Sequence, residues 1–253
     1  MSTYVIHPIT LCRAQAEKSL MTYMAHQGEK IWRPYIFFLV EGQGGRFLVD
    51  TAIEAAQYQS YLPFFQKVEF QPLLSFDQAL ARRGLTPADI ELVIQTHLHF
   101  DHCYNTARCG RAKVVVQARE LAFARDPHPV QASMYRRELF EDLDLQVVDG
   151  PQEILPGVCV QPSPGHTPGG QSVLVDTAAG RAAICGFCCI QENFSPPADL
   201  TERLAPFASQ PVLAPGIHVD PIAGFESVAA LKQMSELILP LHEPAVMEVE
   251  RVP

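Results

Sequence analysis

Residues 96 to 102 read THLHFDH, which places three histidines and one aspartate within seven positions. His97 and His99 are two residues apart. On a helix their side chains would diverge by about 200°, whereas on an extended segment they share one side. The preceding VIQT reads as a strand, so the pair sits at a strand exit. His102 converges with them only if the chain turns near Phe100, which puts Asp101 and His102 on that turn. Neutral imidazole is a good ligand for zinc or iron, and a carboxylate adds charge for a second ion. A lone histidine is usually structural, but this spacing is that of a metal site.

Such a site needs ligands from elsewhere in the chain. SPGHTPGG (163 to 170) carries His166 on a tight loop after a strand, and LPLHEP (239 to 244) carries His242 in a similar setting. In GIHVDP (216 to 221), His218 reads as a cap on the next helix, with a pocket role as the alternative. His7, His26 and His128 have no such context and read as surface or core residues.

The elements that must position these groups alternate between strand and helix. YIFFLV (35 to 40) reads as a buried strand and AKVVVQ (112 to 117) as another. Residues 35–51 and 171–187 share a pattern of strand, small-residue turn, strand. Residues 74–84 read as a helix closed by Gly84, and Thr86 and Pro87 open a further short one. Helices are expected at 118–125, 132–143 and 221–235; 157–166 reads as a strand entering a proline-glycine loop, and 237–244 as a strand ending in a loop. Residues 57–72 are rich in aromatics without a clean period. They are expected to cover a site or meet another subunit, with core packing the alternative for Phe64 and Phe65. No linker is evident, so 1–253 reads as one α/β domain.

Composition narrows the function further. With 47% hydrophobic residues the chain can bury a sizeable core, and no apolar run reaches the length of a membrane span. A net charge of -9 and a pI of about 5.4 argue against a nucleic-acid partner. Seven cysteines at irregular spacing do not form a disulfide framework. The N-terminus lacks the features of a secretory signal, and a reduced cytoplasmic location is expected.

These motifs resemble the metallo-β-lactamase superfamily. The H-x-H-x-D-H motif is His97, His99, Asp101 and His102; PGHTPGG and LPLHEP resemble the next two histidine loops; and Asp50 in RFLVDTA matches an aspartate common behind such sites. Within the superfamily, THLHFDHCYN, VVVQARELAFAR and PGVCVQPSPGHTPGGQSVLV are similar to stretches of the N-acyl-homoserine lactone lactonases. The resemblance implies an αβ/βα four-layer sandwich with metal at the edge of its two sheets. It implies one ion on His97, His99 and His166 and a second on Asp101, His102 and His242. The expected metal is zinc, one ion or two, with iron or manganese as alternatives.

One departure stands out. The family carries Gly-Asp, with a metal-bridging aspartate, where this chain has Gly186 and Phe187, and no acid occurs between Asp176 and Glu192. The tyrosine that lactonases often carry just beyond is also absent. Either Cys185 or Cys188 substitutes as a ligand, or one metal suffices, or the site has lost its chemistry. The expected function is hydrolysis of a small-molecule lactone or related ester by hydroxide generated on the metal, with Asp101 orienting the water or taking its proton. The alternatives are a thioester or β-lactam hydrolase, or a non-catalytic metal- or ligand-binding protein. A homodimer is the candidate assembly.

Overall fold

A computed structural model describes residues 3–61, 67–198, 200 and 210–253. The element that organises it is β2 (Lys30–Gly42), in which every residue from Tyr35 to Val40 is buried. Alternate side chains serve two cores: Tyr35, Phe37 and Leu39 join one, Ile36, Phe38 and Val40 the other. A strand buried on both faces reads as a continuous apolar run, and each such side chain contributes roughly 1.5–3 kcal/mol of burial. β2 pairs antiparallel along its length with β1 (Tyr4–Glu17) and then with β3 (Gly45–Val49).

The sheet continues in parallel through β5 (Leu92–Ile94), β6 (Lys113–Gln117) and β7 (Leu145–Val148), while β4 (Phe70–Pro72) adds to β1. On the other side lie β8 (Gln152–Leu155), β9 (Val158–Pro162), β10 (Gln171–Thr177), β11 (Gly180–Cys185) and β12 (Leu237–Pro240). Among the described residues, the two halves are joined edge to edge only at Tyr4 and Thr177. They face each other across a shared core in which Phe38, Phe47 and Val115 of the first half meet Val160, Val173 and Ile184 of the second.

Helices cover both outer faces. Against the first half pack α1 (Ala55–Tyr61) and α2 (Phe76–Ala81), the latter started by Ser75 and Gln78 in a reciprocal capping box. Against the second half pack α5 (Gln191–Phe194) and α6 (Pro221–Met234), with Asp220 capping α6. The order is helix, sheet, sheet, helix: a mixed αβ/βα sandwich. The short α3 (Phe100–Cys103) and α4 (Ala118–Arg125) sit near the exits of β5 and β6. No helix among the described residues is long and apolar enough to cross a membrane.

Three local expectations change. Residues 132–143 are not an α-helix but carry two 3-10 turns, Ala132–Met134 and Arg137–Leu139, because Tyr135 between them bridges to His99. After Thr86 there is only a 3-10 turn, Pro87–Asp89. Within 57–72, Tyr58 and Tyr61 belong to α1 and Phe70 to β4; Tyr58 is core, its ring 5.2 Å from Phe70 and 5.1 Å from Phe100. Phe64 and Phe65 lie outside the described residues.

Candidate metal centre

Three loops converge at one edge of the sandwich. The chain leaving β5 carries His97 and His99 before turning into α3, which presents Asp101 and His102 in its single turn. The loop after β9 carries His166, and the loop after β12 carries His242. The structure groups these six residues into two triads, His97 with His99 and His166, and Asp101 with His102 and His242. Within each triad the candidate ligand atoms lie within 4.8 Å of one another. All six side chains are buried.

The hydrogen bonds around the rings determine which nitrogen each histidine offers. His166 Nδ1 is 2.8 Å from the Ile217 carbonyl and His242 Nδ1 is 2.9 Å from the Pro34 carbonyl, so both must donate there and leave Nε2 bare. His102 Nδ1 donates to Asp50 Oδ2 at 2.9 Å. Thr96 Oγ1 donates to the same carboxylate at 2.8 Å, so its oxygen accepts from His97 Nδ1 at 3.0 Å. Gln131 Nε2 donates to the His166 carbonyl at 2.9 Å, which turns Gln131 Oε1 toward His99 Nε2 at 3.1 Å and leaves His99 Nδ1 bare. Five imidazole lone pairs are thus oriented by partners on their far sides, the arrangement that metal-ligating histidines adopt.

Two buried atoms in the centre, His97 Nε2 and Asp101 Oδ1, have no hydrogen-bond partner. Buried polar atoms are rarely left so. They belong one to each triad, and a cation would satisfy both. Burial, reinforced by neighbouring imidazoles, pushes His97 and His99 well below the ordinary histidine pKa. Burial lowers His166 to about 4, and burial with Arg33 lowers His242. Burial acts on His102 too, but Asp101 and Asp50 outweigh it and raise that group. Four of the rings are therefore neutral at pH 7, as ligands must be.

Glu120 builds the centre without a signal in the sequence pattern, whereas Asp50 is marked there by the resemblance. Glu120 on α4 is wholly buried, and its carboxylate accepts from the Leu98 backbone N–H at 3.0 Å, Tyr135 Oη at 3.0 Å and Thr167 Oγ1 at 2.7 Å. It thereby ties the His97–His99 strand exit to the His166 loop. Gly169 allows that loop to press against α4, since a Cβ there would overlap the Glu120 backbone. Asp50 has φ of 57°, a left-handed conformation that ends β3 and aims its carboxylate at Thr96 and His102. Asp is one of the few side chains that tolerates it.

The turn after β11 is also resolved. Cys185 packs among core residues beneath α6, its thiol on the Ala183 carbonyl. Phe187 is buried in the same cluster, stacked against Phe194 at 6.2 Å. Cys188 is the residue of this turn that lines the pocket, and burial pushes its thiol up to about 11. Neither Cys185 nor Cys188 joins a triad. His218 lines the same pocket, with Nδ1 on the Pro215 carbonyl at 2.8 Å and its ring edge-on to Tyr23 at 5.1 Å. The pocket is a cavity of about 340 Å³, the size of a small-molecule site.

A sandwich of this layering, with a histidine-rich centre at the sheet edge, defines a class of metal-dependent hydrolases, and comparison with known proteins agrees. Residues 34–186 match the model of the metallo-β-lactamase superfamily, and the chain belongs to that superfamily. It is 31% identical over 235 residues to an N-acyl homoserine lactonase of a Bacillus species, covering 89% of this chain and 83% of that protein. It is 24% identical to an N-acyl homoserine lactonase of Bacillus thuringiensis, covering 92% and 89% respectively. An N-acyl homoserine lactone hydrolase solved with N-hexanoyl-L-homoserine at its catalytic metal centre superposes with a TM-score of 0.76 at 22% identity, covering 98% of this chain and 96% of that one. A dizinc quorum-quenching lactonase superposes at 0.64 with 15% identity, covering 96% and 91%. The chain is a lactonase-like hydrolase of this superfamily.

Proposed function

We propose that the protein hydrolyses a lactone or a closely related small ester, using zinc held by His97, His99 and His166, with a second ion on Asp101, His102 and His242 when both triads load. The carrying observation is the set of five imidazoles whose tautomers are fixed from behind, with His97 Nε2 and Asp101 Oδ1 left partnerless in the middle. The lactonase relatives support the ester class, and the dizinc neighbour supports zinc over iron or manganese.

A divalent ion in such a centre supplies Lewis acidity, lowering the pKa of water and polarising a carbonyl. The chain's own residues supply the rest. Asp101 has one carboxylate oxygen without a hydrogen-bond partner and the other 3.8 Å from His102 Nε2; while the second triad carries no ion, it can orient a water and receive its proton. His99, held by Gln131 and packed 4.8 Å from the Tyr135 ring, and His166, held by the Ile217 carbonyl, line the cavity floor. His218 offers a further polar group on the wall.

The test is a metal analysis of protein purified without added metal, combined with a panel of N-acyl homoserine lactones, γ-butyrolactone, a thioester and a β-lactam. Lactone hydrolysis that vanishes together with bound metal in His99→Ala is expected. Turnover confined to the thioester or the β-lactam would replace the substrate assignment, and full metal loading with no turnover of any substrate would refute catalysis.

A further inference from the structure

Arg33 lies on β2 opposite Ala14 of β1, one residue before the carbonyl that anchors His242, and its side chain lines the metal pocket. It is 6% exposed. Taking a guanidinium out of water is costly unless anions and hydrogen bonds replace the lost hydration. The protein replaces little of it. Nη2 donates to the hydroxyls of Tyr35 and Tyr58, the latter at 3.2 Å, and the guanidinium carbon lies 4.9 Å from the centre of the Tyr35 ring. The Cys188 thiol abuts the same group. These partners are neutral: burial raises both phenols and the thiol.

Nε is buried with no acceptor. Among the described residues no carboxylate comes within ion-pair distance of Arg33. The arginines that do pair with acids, Arg46, Arg108, Arg125, Arg137 and Arg181, are all substantially exposed, where an ion pair is worth least. Among the described residues, the arginine that most needs an anion thus has no ion pair of its own, and the Asp101 carboxylate acts on it only from beyond ion-pair distance. Arg33 faces a cavity built for small molecules, and a guanidinium fork matches a carboxylate better than any other cation the chain could place there.

We propose that Arg33 is the anion-recognition residue of this pocket and takes a carboxylate, either one carried by the ester substrate or the one released by hydrolysis. Hydrolysis adds water across the acyl C–O bond and yields an alcohol, a carboxylate and a proton, so both sources present the same group. Only the source depends on the function proposed above; the binding does not.

The probes are 4-hydroxybutyrate, the ring-opened form of γ-butyrolactone, and monomethyl succinate, an ester that carries a carboxylate. Calorimetry with metal-free and zinc-loaded protein should show about 10-fold or greater weakening of 4-hydroxybutyrate binding in Arg33→Met in both forms, as expected for hydrogen bonds to a charged partner, with Arg33→Lys in between. Equal affinity in a folded, normally loaded Arg33→Met overturns the proposal. Should that variant fail to fold, nitrogen NMR of the unmodified protein decides: the Arg33 Nε–H resonance shifts on titration with 4-hydroxybutyrate, and an unmoved resonance overturns the assignment. A fall in kcat/KM for monomethyl succinate but not for γ-butyrolactone identifies the substrate as the source; relief of product inhibition alone identifies the released acid. Carboxylate binding through Arg33 in metal-loaded protein that turns over neither these esters nor any substrate of the panel above upholds the assignment while refuting the hydrolase reading.

Discussion

The two triads share a rim but differ in what surrounds them. His97, His99 and His166 are all imidazole, uncharged, and braced by Thr96, Gln131 and the buried Glu120 network. Asp101, His102 and His242 bring a carboxylate, with a second carboxylate behind His102, yet they share their pocket with the Arg33 guanidinium. The first triad has vacant lone pairs and meets Arg33 only as a minor influence on His166, whereas at His242 Arg33 is second to burial. The second has anionic charge that a fixed cation already answers in part. A dication entering the second triad meets Arg33 and the first ion together, in a partly dry site where such repulsion is strong. Number of ligands therefore does not rank these sites; the charge around them does.

That ranking is most easily broken by removing a ligand. His99→Ala should lower first-triad affinity by about 100-fold or more, exceeding the effect of losing an outer partner, and leave protein purified without added metal nearly metal-free. His242→Ala should spare the first ion. Elemental analysis of both variants checks this, and equal metal loss in the two would erase the distinction between the triads.

Next in size is the brace. Glu120→Ala strips the acceptor from the Leu98 N–H, Tyr135 Oη and Thr167 Oγ1. Buried donors left unsatisfied cost about 1–3 kcal/mol each, and partial relaxation leaves a loss on the order of 3 kcal/mol in urea unfolding of the metal-free protein. First-triad affinity should fall with it by about 10-fold. Unchanged stability would mean that the network does not hold the loops together.

A smaller and graded effect comes with pH. His166 titrates at about 4 in the folded state against 6.5 in an unperturbed chain, and His97, His99 and His242 are lowered as well. Between those values the unfolded state binds more protons, so stability rises with pH and is lost as pH falls from about 6.5 toward about 4. His102, raised, works in the opposite sense: its contribution is present below 6.5 and fades above it. With four groups against one, the melting temperature of metal-free protein should fall on acidification through this window. A flat profile would show that the empty centre opens to water.

The smallest effect separates the cysteines. Cys185→Ser should leave metal content unchanged, because that thiol packs beneath α6 away from both triads. Cys188→Ser, at the pocket wall beside Arg33, should alter carboxylate binding slightly and metal content not at all. A fall in bound metal in either variant would make that thiol a ligand and raise the second triad's standing.

The sequence alone names the six candidate ligands, because metal chemistry restricts residue types and the strand exit restricts their spacing. It also marks β2, whose burial on both faces leaves an unbroken apolar run, and the helix that contains α2, which Gly84 closes. These features depend on neighbours in the chain. What the tertiary structure decided depends on partners far apart: Asp50 meets His102 across 52 positions and Pro34 anchors His242 across 208. β1, the longest strand, shows no apolar run, since Arg13 and Gln15 interrupt it and β2 and β4 supply its pairing. Residues 132–143 have the composition of a helix, but the hydroxyl of Tyr135 bonds to Glu120 and its backbone bridges to His99, and those contacts outweigh the helical preference. Arg33 reads in the sequence as one charged residue entering a strand. Only the packing of Tyr35, Tyr58 and Cys188 around it makes it a buried cation facing the metal pocket.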